Sequence, residues 1–262
     1  MKIRYIGHAG ILIKEGDTLI AYDPFLSGEF WWNGKFNTYH GESPWIGTEE
    51  RQNKFIETYA ERLTAVIISH AHMDHFDPST IVNLINNNRE IQIFAPKPVI
   101  DMLMATSILN TRLVQFFTKV TWDGTYELGE ENSKVIVHTM PNDKIQEEKY
   151  PYRVGFLVEN PQKDQGLLLP GDSWANSYWD FKKGKVTDVV TWGKAVRKDL
   201  VPYFQEDESG SQLALNSVWI IHWEAFTPGN FDCNQDPQEF INIVEDHGVK
   251  AGTLKYDGWI SL

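Results

Sequence analysis

Four apolar residues, Ala65-Val66-Ile67-Ile68, run without interruption into Ser69 and then into His70-Ala71-His72-Met73-Asp74-His75. An unbroken apolar run is the mark of a strand buried on both faces, as in a parallel sheet covered by helices. The chain must therefore build such a sheet and place the polar cluster at a strand's C-terminal end. Packing gives no reason for three imidazoles and a carboxylate within six positions there. Imidazole and carboxylate suit Zn²⁺ and similar divalent ions, and a tight loop can converge several of them on one point. His70 and His72 can point the same way while Asp74 and His75 reach a second ion nearby. A polar turn with incidental histidines is the bland alternative, and the buried strand before the motif weighs against it.

The rest of the chain alternates strand and helix signals. Ile3–Ile6, Gly10–Ile13 and Thr18–Tyr22 are short β-rich runs parted by glycine turns, which predicts antiparallel strands. Residues 25–45 are rich in aromatics without a clear period and read as a long loop, fit to wall a pocket or to face another subunit. Thr48 is an N-cap with Glu49 and Glu50 behind it, and predicts a helix to about Leu63. Asp77-Pro78 and Asp236-Pro237 open two further helices, the second ending at Gly248, and another helix follows Pro98. Strands are expected near 91–94, 134–137, 153–158, 167–169, 186–191 and 217–221. No repeat or linker divides the chain, so residues 1–262 read as one domain.

Composition narrows the function. With 42% hydrophobic residues the chain can build a sizeable core, and a net charge of −12 would repel a polyanion, so nucleic acid is not an expected partner. The lone cysteine, Cys233, permits no internal disulfide, which points to a reducing, cytoplasmic setting. No stretch approaches the ~20 apolar residues of a membrane helix, so no membrane partner is expected.

His-x-His-x-Asp-His after an apolar strand resembles the signature of the metallo-β-lactamase superfamily, and other landmarks of that family recur in order. Ile6–Ile13 and Tyr22–Gly28 are similar to its opening hairpin, Leu169-Pro170-Gly171-Asp172-Ser173 to the segment with its metal-bridging aspartate, and Ile220-Ile221-His222-Trp223 to its last strand-end histidine. The resemblance implies an α/β fold, the αββα four-layer sandwich of two mixed sheets flanked by helices. It implies two divalent ions, Zn²⁺ or Mn²⁺: His70 and His72 on the first, Asp74, His75 and His222 on the second, and Asp172 shared. Asp23 would orient a histidine ligand and His8 would line the site; a turn aspartate and a satisfied core histidine are their bland readings.

One departure stands out. The family's third ligand to the first metal is a histidine in the loop after the strand near 134–137. Asp143 falls near that slot, with His138, about five positions early, a distant second candidate. A carboxylate there is similar to the branch containing the ascorbate-6-phosphate lactonases, as are Pro170–Trp179 and Gly229–Glu239. Lys194 or Arg197, in a stretch similar to a basic loop of that branch, would meet an anionic group on a small-molecule substrate, though a solvated loop is the plainer reading.

The chemistry so implied is hydrolysis of a lactone or ester, phosphorylated or not, by hydroxide held between the two ions, with Asp74 and Asp172 as catalytic carboxylates. A phosphodiesterase on the same scaffold is the nearest rival. A non-catalytic protein with a degenerate first metal site is the rival of a different class. Homo-oligomerisation is left open.

Overall fold

The computed structural model describes residues 1–105, 117–121, 124–141, 152–172, 186–193, 196, 215–223 and 236–262. Two seven-stranded mixed sheets dominate it. In the first, β1 (Lys2–Gly7), β2 (Gly10–Glu15) and β3 (Thr18–Tyr22) form an antiparallel meander. Parallel to β3 follow β6 (Ala65–Ile67), β7 (Gln92–Ala95) and β8 (Phe117–Lys119), while β16 (Ile260–Ser261) closes the free edge of β1. The second sheet repeats the plan. Its meander is β9 (Thr125–Leu128), β10 (Val135–Pro141), β11 (Val154–Asn160) and β12 (Gln165–Leu169), continued in parallel by β13 (Asp188–Trp192), β14 (Ser217–Ile221) and β15 (Lys250–Thr253).

That plan decides where chemistry can gather. Because β1 and β3 run the same way, the β1–β2 turn shares an edge with the C-terminal ends of β3 and β6. In the second sheet the C-terminal ends of β10, β12, β13 and β14 share one edge for the same reason. Alternation along the strands sorts the core: Ile3, Tyr5, Ile11, Ile13 and Ile20 of the first sheet face Val135, Val137, Phe156, Val158 and Leu167 of the second. A one-residue slip in any of these strands would turn its inner set outward, and each fully buried aliphatic side chain is worth roughly 1.5–3 kcal/mol, so register is firmly set.

Helices cover the outer faces. α1 (Glu49–Tyr59), α2 (Pro78–Asn87) and α3 (Lys97–Ala105) lay Phe55, Ile81, Leu84 and Ile100 on the first sheet, and α4 (Pro237–Glu245) lays Phe240 and Val244 on the second. The layers thus run helix, sheet, sheet, helix. Caps fall where expected: Thr48 Oγ1 accepts the Arg51 N–H, Asp77 accepts those of Ser79 and Thr80, and Asp236 that of Gln238. α1 ends sooner than expected because its last turn tightens into a 3₁₀ turn at Ala60–Arg62. No helix among the described residues is long and apolar enough to cross a membrane.

The aromatic segment differs from the loop expected. It holds a hairpin, β4 (Glu29–Trp32) and β5 (Lys35–Thr38), turned by Asn33 and Gly34 at φ 49° and 74°. Positive φ at both central residues is the type I′ turn whose twist matches a hairpin, and Asn-Gly is its preferred pair. Phe30 packs inward on Phe25, Tyr39 and Ile46, and Trp31 and Phe36 face solvent with ring centroids 5.5 Å apart.

Candidate metal centre

Five chain segments deliver polar side chains to the shared edge: the β1–β2 turn (His8), the ends of β3 (Asp23) and β6 (His70 to His75), the end of β12 (Asp172) and the end of β14 (His222). Three of them hold unusual backbone. His8, Asp23 and His222 have φ of 52°, 41° and 61°, a region that costs a non-glycine residue about 1–3 kcal/mol and persists where the surroundings over-determine it. Those surroundings are visible. The His222 N–H donates to the His8 carbonyl (2.9 Å) and the Val154 N–H to the Ser69 carbonyl (2.9 Å), tying the two sheets together beside the cluster. Gly171, at φ +65°, sits in backbone that favours glycine, and a Cβ there would come a tight 3.2 Å from that of Ser69.

Four donor atoms converge at the cluster's deep end. His75 Nε2 lies 3.1 Å from His222 Nε2, 3.1 Å from Asp172 Oδ1 and 3.7 Å from Asp74 Oδ2; His222 Nε2 lies 3.2 Å from Asp74 Oδ2 and 3.7 Å from Asp172 Oδ1. Those are five of the six separations within the set, and His8 shares a group with Asp74, His75 and His222 whose donor atoms all lie within 4.8 Å of one another. Ligand bonds of about 2.0–2.2 Å around a tetrahedral ion put neighbouring donor atoms roughly 3.3–3.6 Å apart, so the set fits one divalent cation. The second set sits nearer the surface: Asp172 Oδ2 lies 3.5 Å from His70 Nε2 and 3.8 Å from His72 Nδ1. Asp172 thus offers one oxygen to each set. His70 Nε2, Asp74 Oδ1 and Asp172 Oδ1 are buried and have no hydrogen-bond partner among the described residues, and ligation would remove that cost for the first and the last, which belong to the two donor sets.

Orienting groups stand behind the donors. Asp23 Oδ2 accepts from His75 Nδ1 (2.8 Å) and from the Ser69 hydroxyl (2.6 Å), while Asp23 Oδ1 takes the Ser69 N–H (2.7 Å). Ser69 Oγ in turn accepts from His70 Nδ1 (2.8 Å), so one aspartate fixes the proton on the far nitrogen of two rings and turns both Nε2 lone pairs inward. His8 Nε2 donates to Asp74 Oδ2 (2.9 Å).

Electrostatics agree with this arrangement. Burial, then the neighbouring His222, lowers His8 to about 3; burial, then His75, lowers His70 to about 4. His75 moves the opposite way. Burial opposes its charge, but Asp172 and Asp74 outweigh burial and raise it to about 10. Both carboxylates are held well below their ordinary range, against burial, chiefly by the charge of His75. The pocket demands positive charge at the tetrahedron, which a divalent ion would supply in place of the His75 proton.

Residues 37–169, half of the chain, match the family model described as the beta-lactamase superfamily domain. The chain belongs to the beta-lactamase superfamily. The match contains the His70 to His75 motif and ends before Asp172 and His222. Over whole chains, this superfamily member is 20% identical to a UPF0173 protein of Pyrococcus furiosus, with 95% of this chain and 93% of that one covered. It is 23% identical to a UPF0173 metal-dependent hydrolase of Nanoarchaeum equitans, with each chain covered in full. Among solved structures, Igni18, described as a metallo hydrolase from Ignicoccus hospitalis, superposes with a TM-score of 0.68 at 16% identity, covering 99% of this chain and 97% of that one. An isothiocyanate hydrolase from Delia radicum gut bacteria gives 0.59 at 14%, with 100% and 99% covered. These likenesses concern the fold.

Of the residues singled out by sequence, the superfamily fold brings His8, Asp23, His70, His72, Asp74, His75, Asp172 and His222 together. His138 does not join them: it lies on the outer face of β10, where Nε2 meets Glu159 Oε2 at 3.0 Å and Nδ1 meets Thr125 Oγ1 at 3.3 Å. Strand alternation explains this, since Val137 takes the inner face and its neighbour must face out. Asp143, Lys194 and Arg197 lie outside the described residues. Sequence reasoning overlooked Ser69 and Arg153, and gave Trp32 only as part of the aromatic segment 25–45 fit to wall a pocket. Trp32 meets His72 with ring centroids 4.9 Å apart, and Arg153 Nη2 lies 3.0 Å from His72 Nε2. The Asn33-Gly34 pair was the available signal for the hairpin that carries Trp32.

Proposed function

We propose that the protein is a metal-dependent hydrolase that cleaves a small-molecule lactone or ester. The carrying observation is the tetrahedron of His75, His222, Asp74 and Asp172 with Asp172 reaching a second set at His70 and His72. Bound divalent ions there supply Lewis acidity to a carbonyl or phosphoryl oxygen and acidify a water. Around them, Ser69 and Asp23 hold the imidazoles in one tautomer, so no reorganisation is needed when substrate arrives. With Asp74 Oδ2 in the donor set and held by His8, Oδ1 is left as the atom able to take a proton and pass it to a leaving group. Trp32 lies edge-on to His72 and forms one wall beside it.

Several features support the finer reading. The superfamily relative from Nanoarchaeum equitans carries the name of metal-dependent hydrolase, and the resemblance of Pro170–Trp179 and the carboxylate Asp143 favour a lactone, in the manner of the ascorbate-6-phosphate lactonases. Zn²⁺ or Mn²⁺ suits a mixed imidazole and carboxylate set. A small molecule is the expected partner, because the net charge of −12 disfavours nucleic acid.

The test has two parts. Protein purified without added metal should hold about two equivalents of divalent ion per chain, or recover them on addition. Against a panel of lactones, phosphodiesters and thioesters it should turn over lactones fastest. Fewer than one unrestorable equivalent would mean a binding protein, and phosphodiester turnover alone would assign the rival chemistry.

A further inference from the structure

We propose that Arg153 recognises an oxyanion, carboxylate or phosphate, carried by the substrate of this site; the inference rests on the hydrolase reading. Arg153 is half-buried and immediately precedes β11, where the Val154 N–H to Ser69 carbonyl bond fixes the backbone against the metal-binding loop. Its guanidinium reaches the rim, with Nη2 3.0 Å from His72 Nε2. Among the described residues no carboxylate pairs with it, although the cluster beside it is built of aspartates. A half-buried guanidinium turned to a site and lacking an anionic partner is equipped to take one from a ligand.

The contact with His72 cannot be the guanidinium's purpose once the site is loaded. Arginine only donates, so the imidazole must accept at Nε2 and carry its proton on Nδ1. Nδ1 is the atom that faces Asp172 Oδ2, 3.8 Å away, in the nearer-surface set. Coordination through Nδ1 places the ring proton on Nε2, and two donors then face each other. The guanidinium must turn to another acceptor, and an anionic oxygen of a ligand would supply one. The apolar surface beside it is fitted to the rest of such a molecule. Trp32 lies edge-on to the same imidazole at 4.9 Å, and Met73 and Tyr152 are exposed on the neighbouring loop ends. The ligand class is therefore a small lactone or ester with an apolar body and an anionic group, bound bidentately by Arg153.

The test uses metal-loaded wild type, Arg153→Lys and Arg153→Gln, with metal content and thermal melting recorded for each. Calorimetric titration with inorganic phosphate and with acetate should show binding of at least one to wild type; the better-bound ion identifies phosphate or carboxylate as the preferred group. Arg153→Gln should weaken that ion by about ten- to a hundredfold at unchanged metal content, and Arg153→Lys by less, as expected for loss of a charge-assisted fork. The ratio of kcat/KM for an anionic lactone over its uncharged analogue should fall by a similar factor. Equal anion affinity in all three proteins, or weakening that tracks loss of metal, would overturn the proposal. Arginine-dependent anion binding without turnover of any ester would instead overturn the hydrolase reading and leave Arg153 as the anion-binding group of a non-catalytic site.

Discussion

The two donor sets of the cluster share Asp172 and little else. The deep set is closed: His75, His222 and Asp74 are all at most 2% exposed, and each has an orienting or counter-charged neighbour within the fold. The set nearer the surface is open. His72 is 28% exposed, its far nitrogen faces an arginine, and a tryptophan edge walls it. Burial makes the deep set an electrostatic necessity, since two carboxylates there must be compensated for the fold to hold. Exposure makes the other set the place where a substrate can meet a ligand sphere. On the proposed reading, a cation in the deep set would complete the fold and one in the open set would confront the substrate.

Asp172→Ala should break the comparison at its joint. Removing the residue that serves both sets should abolish binding of both ions and lower kcat/KM by on the order of 10³-fold or more, read by metal analysis and initial rates. His72→Ala should sharpen it, losing only the open set's equivalent and nearly all turnover with little change in melting temperature. His75→Ala should lose the deep equivalent and depress the melting temperature as well.

Acidity should act on the sets through different groups. In metal-free protein, His75 is raised to about 10, so its stabilising contribution is full below pH 6.5 and disappears as pH rises through about 10. His70, lowered to about 4, refuses a proton that the unfolded chain accepts below pH 6.5, so stability also falls as pH drops from 6.5 towards 4. Melting temperature against pH should therefore peak between these limbs without metal. Loading should flatten the alkaline limb, because the ion replaces the His75 proton. Persistence of that limb in loaded protein would mean that His75 is not a ligand.

Smaller effects follow from the supporting groups. Ser69→Ala should weaken the ion at His70 by about ten- to a hundredfold, measured by chelator competition, with both equivalents still bound at saturation. His138→Gln should change metal content not at all and cost under about 1 kcal/mol in denaturant unfolding, since it removes only a partly exposed pair with Glu159.

Much of this was legible in the sequence wherever the physics is local. The apolar run before His70, the Pro-Gly before Asp172 and the apolar run before His222 each mark a strand end, and Thr48, Asp77 and Asp236 mark helix starts through their own side chains. The hairpin at 29–38 was missed because Phe30-Trp31-Trp32 does not alternate, although Asn33-Gly34 announced the turn. Ser69 reads as an ordinary strand-end residue until Asp23, 46 positions away, approaches it. Arg153 likewise gains meaning only when the second sheet lays the start of β11 against the loop of the first. His138 failed as a candidate because one strand position decides which face a side chain takes.

The central claim is that His75, His222, Asp74 and Asp172 hold one cation among them. Anomalous diffraction from crystals of metal-loaded protein tests it directly. The account predicts a peak inside that tetrahedron, about 2.0–2.2 Å from His75 Nε2, His222 Nε2 and an oxygen of each aspartate. A peak lying elsewhere, or a loaded protein in which these four side chains separate with no ion among them, would contradict it.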